Sequence, residues 1–425
     1  MRIGWVDYSK DDREKSLEIL NSIYEQGTLD ELGIAPIRDF FSETFFPGIT
    51  TIQTRAKYFF LIPYSLIDIN NENNYNYDEA IEKFHRIENR SCNRLVEMYP
   101  EPGNGIIGGS NTKRTDDPDW IKRKPSEIYW RGLITYGIIN EDITLSLYLK
   151  TTCNEKKEIS DILLTQKKYN NKTGRNRNYD DNSSDDLNSL NINNKYKIDS
   201  KLINEIYNPK WLQNIDIKLN KEEKEYLKEK ILALKSPQKC ILKTLLKNNQ
   251  IINVMNFEDL EPFLKDDEEK QMFKLACQFN KFQQIIYWIY NSMVYQFDRE
   301  MKEELKKYDI HNLKEITNIK IDDIFQLMIE FNNKNNKNLK NFLINCQKYM
   351  KKINIKNIDN DENLKNLKNI IKQRAKKRKQ SRSKINNPQK IENPDFNNLS
   401  NKLDYRFSNA KIIINDILER NNKND

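Results

Sequence analysis

The sequence predicts a mainly α-helical protein, with a multi-helix N-terminal region and a helical C-terminal region separated by a low-complexity insertion. Three observations carry that prediction. Apolar residues recur at helical spacing in one segment after another, with capping residues before them and Gly or Pro after them. Strand-like patterns are confined to residues 2–8 and to Ile143–Leu149. Residues 154–200 are dominated by Asn, Asp, Lys and Ser, with too little apolar surface to offset the entropy of ordering them.

The elements follow in order. Ser9 with Asp12 resembles a capping box ahead of Leu17, Leu20, Ile23 and Tyr24, and Gly27 is the stop. Thr28 with Glu31 opens a short helix ending near Gly33. Pro36 suits the first turn of the next, where Ile37, Phe40, Phe41, Thr44 and Phe45 keep the helical period up to Pro47-Gly48. Thr51 caps a helix with Ile52, Ala56, Phe59 and Phe60 on one face, ended near Ile62 by Pro63. After the Asn-rich loop at 70–77, Asp78 caps a long helix through Ile81, Phe84, Cys92, Leu95 and Tyr99. A Gly- and Pro-rich loop follows at 100–110. A helix over Ser126–Tyr136, stopped by Gly137, would join a strand at Ile143–Leu149 in a small winged-helix-like element.

Beyond the insertion, a Glu/Lys-patterned helix starts at Leu219 or Asn220 and runs through Tyr226, Ile231 and Leu234. Another covers Phe273–Phe297. A final amphipathic helix covers Phe407–Leu418, with Ala410, Ile413, Ile414 and Ile417 in phase. The boundaries read from composition are 1–150 for the N-terminal helical domain and 151–200 for the insertion. They are 201–350 for a second helical domain and 351–425 for a basic segment with its terminal helix.

Composition narrows the function classes. The five cysteines, Cys92, Cys153, Cys240, Cys277 and Cys346, are scattered and form no C-x-x-C pair, which points to a reducing, cytoplasmic setting. The longest apolar runs, Tyr58–Ile67 and Ile285–Tyr290, fall well short of the roughly 20 residues of a membrane span. Net charge is +8, which suits a nucleic-acid or anionic partner. The abundance of Asn, Lys and Ile also fits an AT-rich genome, and this weakens the charge argument.

Each motif has a plainer reading beside it. Gly103-Asn104-Gly105-Ile106-Ile107-Gly108 is a literal G-x-G-x-x-G, yet helical residues precede it where a dinucleotide site needs a strand, so it reads as a loop. His85 lies about two helical turns before Cys92, too far for a nucleophile–base pair. Asp116, Asp117 and Asp119 read as an acidic turn rather than a cation site. No catalytic, cofactor or metal set is assigned.

Two basic clusters remain. Arg114, Lys122, Arg123, Lys124 and Arg131 surround Tyr129 and Trp130, residue types that contact phosphates and stack on bases. The favoured plainer reading puts the aromatics partly in the core and the lysines on a solvated rim. The second cluster is Lys372–Lys384, the densest positive run, with Arg374, Lys376, Lys377, Arg378 and Lys379. It reads equally as a contact for nucleic acid or an acidic partner and as a solvated helix.

The segments IGWVDYS, DELGIAPIRDFFSETFFPGITTIQTRAKYFFLIPYSL and KRKPSEIYWRGLITYGI resemble the N-terminal blocks of the prokaryotic domain-of-unknown-function family DUF6361. LNKEEKEYLKEKIL and LDYRFSNAKIIINDIL resemble its later blocks more loosely. The family pattern has Trp where this chain has Tyr64, Tyr136 and Phe407, and those changes keep an aromatic ring. The resemblance implies a shared architecture, no established reaction, and a setting near helicase- or nuclease-type partners in defence or mobile loci. It carries over no functional residues.

Within the family block, Thr51, Gln53, Thr54, Arg55 and Lys57 would sit at a helix N-terminus, which favours anions. The favoured plainer reading is an N-cap with solvent-facing charges on a core helix. The sequence therefore points to binding rather than catalysis. The leading expectation is a DNA- or RNA-associated accessory protein with no membrane segment. The alternative is a protein–protein adaptor presenting Phe40–Phe46 and Tyr287–Tyr290.

Overall fold

The computed structural model describes residues 30–72, 76–101, 103–109, 121–157, 197–235, 240–248, 254–307, 310–332, 336–390 and 395–418. The helices are α1 (Ala35–Phe45), α2 (Tyr58–Asn71), α3 (Tyr77–Met98), α4 (Pro125–Thr135) and α5 (145–157). Past the insertion come α6 (Lys221–Leu232), α7 (Ile241–Lys247), α8 (Asp267–Tyr295), α9 (Asp298–Lys306) and α10 (Ile310–Thr317). The series ends with α11 (Ile321–Asn332), α12 (Lys337–Met350), α13 (Glu362–Lys379), the one-turn α14 (Phe396–Leu399) and α15 (Phe407–Ile417). Among the described residues no strand forms, and an isolated bridge pairs Ile139 with Ile198. The mainly α class holds. The expected strand at 2–8, the helix from Ser9 and most of the insertion lie outside the described residues.

Three local expectations are corrected. Residues 145–157, which include most of the expected strand, form α5. Tyr148, Leu149, Thr152 and Cys153 are buried at helical spacing, and the Thr144 hydroxyl accepts the Leu147 N–H as an N-terminal cap. Seven residues with apolar positions two apart satisfy a strand pattern, but the next turn continues the helical period. The wing of a winged helix is therefore not formed.

The second correction concerns residues 51–57, which make turns, so Thr51 caps no helix and α2 starts at Tyr58. The helix then runs straight through Pro63. A proline in a helix interior costs about 3 kcal/mol. Every residue from Tyr58 to Ile67 is buried, and each large apolar side chain so placed contributes about 1.5–3 kcal/mol. Burial outweighs the lost hydrogen bond. Third, residues 30–34 form no helix: the Asp30 carboxylate accepts the N–H groups of Ile34 and Ala35, each at 2.9 Å, and caps α1.

Other boundaries agree. Ile37, Phe40, Phe41, Thr44 and Phe45 are all buried. Asn220 caps α6 in a capping box with Glu223. Asn76, two residues before the expected Asp78, caps α3.

The chain divides into two compact units that cut across the boundaries read from composition. The first comprises Met1–Phe41 and Gln271–Leu403, the second Ser42–Lys270 and Asp404–Asp425. Around the insertion, Asn140 N–H donates to Lys197 O and Asp199 N–H to Ile138 O, so its two flanks meet inside the second unit.

In the first unit, α12 and α13 pack side by side. Leu339, Phe342, Leu343, Cys346 and Met350 face Leu364, Leu367, Ile371 and Ala375, all at helical spacing. Phe40 meets Phe331 edge-on at 5.6 Å, and Phe41 lies 6.1 Å from Phe279.

In the second unit, α2 is the central buried helix, flanked by α3 and α4. Phe59 stands edge-on to Tyr129 at 5.0 Å and lies 5.2 Å from Tyr136. A second aromatic group joins Phe45, Phe257 and Tyr405, with Phe46 against Phe407 at 6.2 Å.

Gly132 lets α4 approach. A Cβ there would lie 2.7 Å from the Gly48 carbonyl oxygen and 2.7 Å from a Phe59 ring carbon. Gly→Ala in a free helix stabilises by about 1 kcal/mol. Here the sign reverses: Gly132→Ala should destabilise the protein by about 1–3 kcal/mol in denaturant titration, as overpacking does. A neutral or stabilised variant would refute the close approach.

Candidate functional site

The structure gathers Gln53, Thr54, Arg55 and Lys57 of the N-terminal family block into one network in the second unit, where each has a partner. The turn at 50–57 stands at its centre. The Arg55 guanidinium grips both carboxylate oxygens of Asp416 on α15, with Nε at 3.1 and 3.0 Å, and an N–H also donates to the Asn104 carbonyl at 3.0 Å. Asp416 further accepts the Ala56 N–H at 2.8 Å.

Lys57 is only 7% exposed. Its ammonium contacts both oxygens of Glu223 at 2.8 Å, while the Tyr64 hydroxyl donates to the same carboxylate at 3.0 Å and Asn220 N–H at 2.9 Å. Burial, and then the Glu223 charge, push the Tyr64 hydroxyl far up, so it stays a donor.

The G-x-G-x-x-G stretch is a loop, as its context implied. Gly103, Gly105 and Gly108 all have positive φ. The loop is held against the 54–58 segment. Thr54 Oγ1 donates to Gly105 O, and Ile107 N–H donates to the Tyr58 hydroxyl at 2.8 Å. A Cβ on Gly105 would meet the Arg55 side chain at 3.0 Å, so the glycine serves packing against arginine.

Tyr129 is fully buried and does not stack on anything in solvent. Its hydroxyl accepts the N–H groups of Thr54 and Arg55 at 2.8 and 3.0 Å and donates to Arg55 O at 2.9 Å. Trp130 Nε1 donates to Ile143 O at 2.7 Å. The start of α4 already holds an internal anion: buried Glu88 accepts the Ser126 N–H at 2.7 Å, the Ser126 hydroxyl at 3.1 Å, and faces His85 Nδ1 at 3.1 Å.

The candidate phosphate contacts thus fall into groups. Arg55 and Lys57 are engaged inside the second unit. Arg114 lies outside the described residues. Lys122 and Arg123 are exposed just before α4, Lys124 is half-buried, and Arg131 pairs with Asp142 at 2.8 Å on the surface.

In the first unit, Arg374 is half-buried: its Nε donates to Leu32 O at 2.9 Å and its guanidinium lies 5.2 Å from the Phe342 ring centre. Desolvation, and then Arg378, lower its pKa. Lys376, Lys377 and Arg378 are exposed and Lys379 half-exposed, in the last turn of α13, where cations also favour the helix dipole. The adaptor surfaces are corrected: Phe40, Phe41, Phe45, Phe46 and Tyr287–Tyr290 are buried, so they present no docking face.

Sequence reasoning missed Asp416, Glu223 and Glu88, the acids that answer the family block's cations and caps. The available signal was an acid at an in-phase position on an apolar helix face, as Glu88 is between Phe84 and Cys92. Burial raises the thiols of Cys92, Cys153, Cys240 and Cys346, with Cys240 pushed up to about 11, so none of these is an activated nucleophile. Among the described residues no His/Cys/Asp/Glu group has metal-binding geometry, and no helix is long and apolar enough to cross a membrane.

Two outcomes test the network. Lys57→Met leaves Glu223 buried without its cation and should cost about 3–5 kcal/mol in denaturant unfolding. An unchanged midpoint would mean the pair does not form. Burial pushes Tyr129 up to about 12. Because this raised value belongs to the folded state, the stability it gives is intact below about pH 10 and is lost as pH rises through 12. Tyr129→Phe should lower stability by about 1–3 kcal/mol at neutral pH, since the part-buried N–H groups of Thr54 and Arg55 lose their acceptor. It should also flatten the alkaline fall in stability, and an unaltered profile would count against this burial.

No curated protein and no solved structure matches the chain. Residues 1–171 match the model of a family of unknown function, DUF6361, the family whose blocks residues 3–8, 29–64 and 122–138 resemble.

Proposed function

We propose that this protein is a non-enzymatic nucleic-acid-associated accessory protein of the cytoplasm that contacts phosphates through the basic end of α13. One observation carries the reading. Between Lys372 and Lys384 the sequence has no acidic residue, and Lys372, Lys376, Lys377, Arg378, Arg382 and Lys384 are exposed. None of these six pairs with a carboxylate among the described residues. That contrasts with Arg55, Lys57 and Arg131, whose charges are answered by Asp416, Glu223 and Asp142. Unanswered cations on one short segment attract a polyanion and release its counterions.

Lys122 and Arg123 form a smaller candidate patch in the other unit. A helicase- or nuclease-type partner, in a genome-defence or mobile-element setting, belongs to the same reading and rests on the family resemblance alone. Direct stacking on bases through Tyr129 is no longer part of it.

Fluorescence anisotropy with a labelled duplex and a labelled single strand tests the proposal at two salt concentrations. Binding should weaken steeply with salt. Lys376→Glu/Lys377→Glu/Arg378→Glu should reduce affinity by at least about tenfold and lower the salt slope by about 3, roughly one per phosphate contact. Lys122→Glu/Arg123→Glu should act less. Undetectable binding to both strands at low salt ends the reading.

A further inference from the structure

The first unit holds a half-open pocket of about 300 Å³ between the segment before α1, the middle of α8 and the chain around Leu399–Leu403. That volume is at the lower end of the range for small-molecule pockets. Its wall holds three deeply buried polar side chains whose bonding is incomplete. Glu31 is 3% exposed, and neither carboxylate oxygen has a partner at hydrogen-bond geometry among the described residues. Gln283 is 0% exposed and its Oε1 also lacks a partner. Tyr290 is 2% exposed, and its hydroxyl lies close enough to Glu31 to interact with the carboxylate, though outside hydrogen-bond geometry, so one donor stands near it and the rest of its acceptor capacity is open.

The orientation of the Gln283 amide is fixed by its other end. Nε2 donates to the Asn401 carbonyl at 2.8 Å, and a carbonyl only accepts, so the oxygen is the end left over. Asp30 also lines the cavity, but its oxygens already accept from Ile34, Ala35 and Tyr287. The vacant bonding capacity is therefore that of acceptors, one of them a carboxylate. Tyr287 and Tyr290, with ring centres 6.3 Å apart and nearly perpendicular, add aromatic surface that favours a cation. Two cations reach the wall: Arg38, which pairs with Asp39 at 2.9 Å, and the exposed Lys384.

We infer that this cavity binds a small organic cation bearing N–H donors, a primary ammonium or a guanidinium, with Glu31 as counter-charge and Gln283 Oε1 as second acceptor. Nearly all buried polar groups in folded proteins are bonded, and a buried carboxylate without a cation is costly. A donor-rich cation corrects both defects at once. The site is independent of the proposed phosphate contact, so either can fail alone.

Calorimetry on the full chain with 1,4-diaminobutane and methylguanidinium, at constant ionic strength, tests this. At least one should bind saturably in the millimolar range or tighter, and tetramethylammonium, which has no N–H, should bind at least about tenfold more weakly. Glu31→Gln should weaken binding by about tenfold or more, as loss of a buried counter-charge does. Lys384→Glu, at an exposed position where folding is not at stake, should tighten binding severalfold. No saturable binding by the wild type overturns the inference, as does unchanged affinity in either variant or equal binding of tetramethylammonium.

Discussion

The clasp of Arg55 on Asp416 is the constraint on which the second unit turns. It ties the turn before α2 to α15, across 361 positions of sequence. A guanidinium with three donors directed at one carboxylate and one carbonyl fixes orientation as well as distance. Once Arg55 is held, its backbone N–H and C=O meet the Tyr129 hydroxyl, the Gly103–Gly108 loop closes over its side chain, and Lys57 is carried to Glu223. The central helix α2 thereby starts at a defined place, with its aromatic residues delivered into the core.

This placement changes the meaning of charge in the sequence. Basic residues near aromatics and glycines suggest a phosphate site when they are read in a line. In three dimensions Arg55 and Lys57 have their own carboxylates, and Tyr129 is a hydrogen-bonding core residue. A buried cation next to a buried acid is bound first by that acid, because separating the pair leaves each without solvent or partner. Among the described residues the exposed cations at the end of α13 have no such answer, and they extend from a helix whose apolar face, Leu364 to Ala375, is already packed.

Particular residues show how far pattern reading goes. The capping box of α6 and the buried face of α1 were readable because capping and amphipathic period act within a few residues. The strand expected at Ile143–Leu149 and the break expected at Pro63 failed for a shared reason. Each was judged on a short window, while the outcome was set by burial over a longer one: Tyr148 to Cys153 in α5, Tyr58 to Ile67 in α2. Of the candidate site, the basic run on α13 was visible as composition. The acids that remove Arg55 and Lys57 from consideration were not, because they are 361 and 166 positions away.

By itself the sequence determined the mainly α class, the starts of α1, α3, α4, α6 and α15, the plain loop character of the glycine-rich stretch, and the likeness to DUF6361 over its N-terminal part. These follow from local sterics, local capping and short-range period. Only the tertiary structure decided which segments form each unit, which cations are neutralised, and that Glu31, Gln283 and Tyr290 line one pocket. Those outcomes depend on which residues from distant parts of the chain share a desolvated space, and in such a space an unpaired charge or hydrogen-bonding group carries its largest cost.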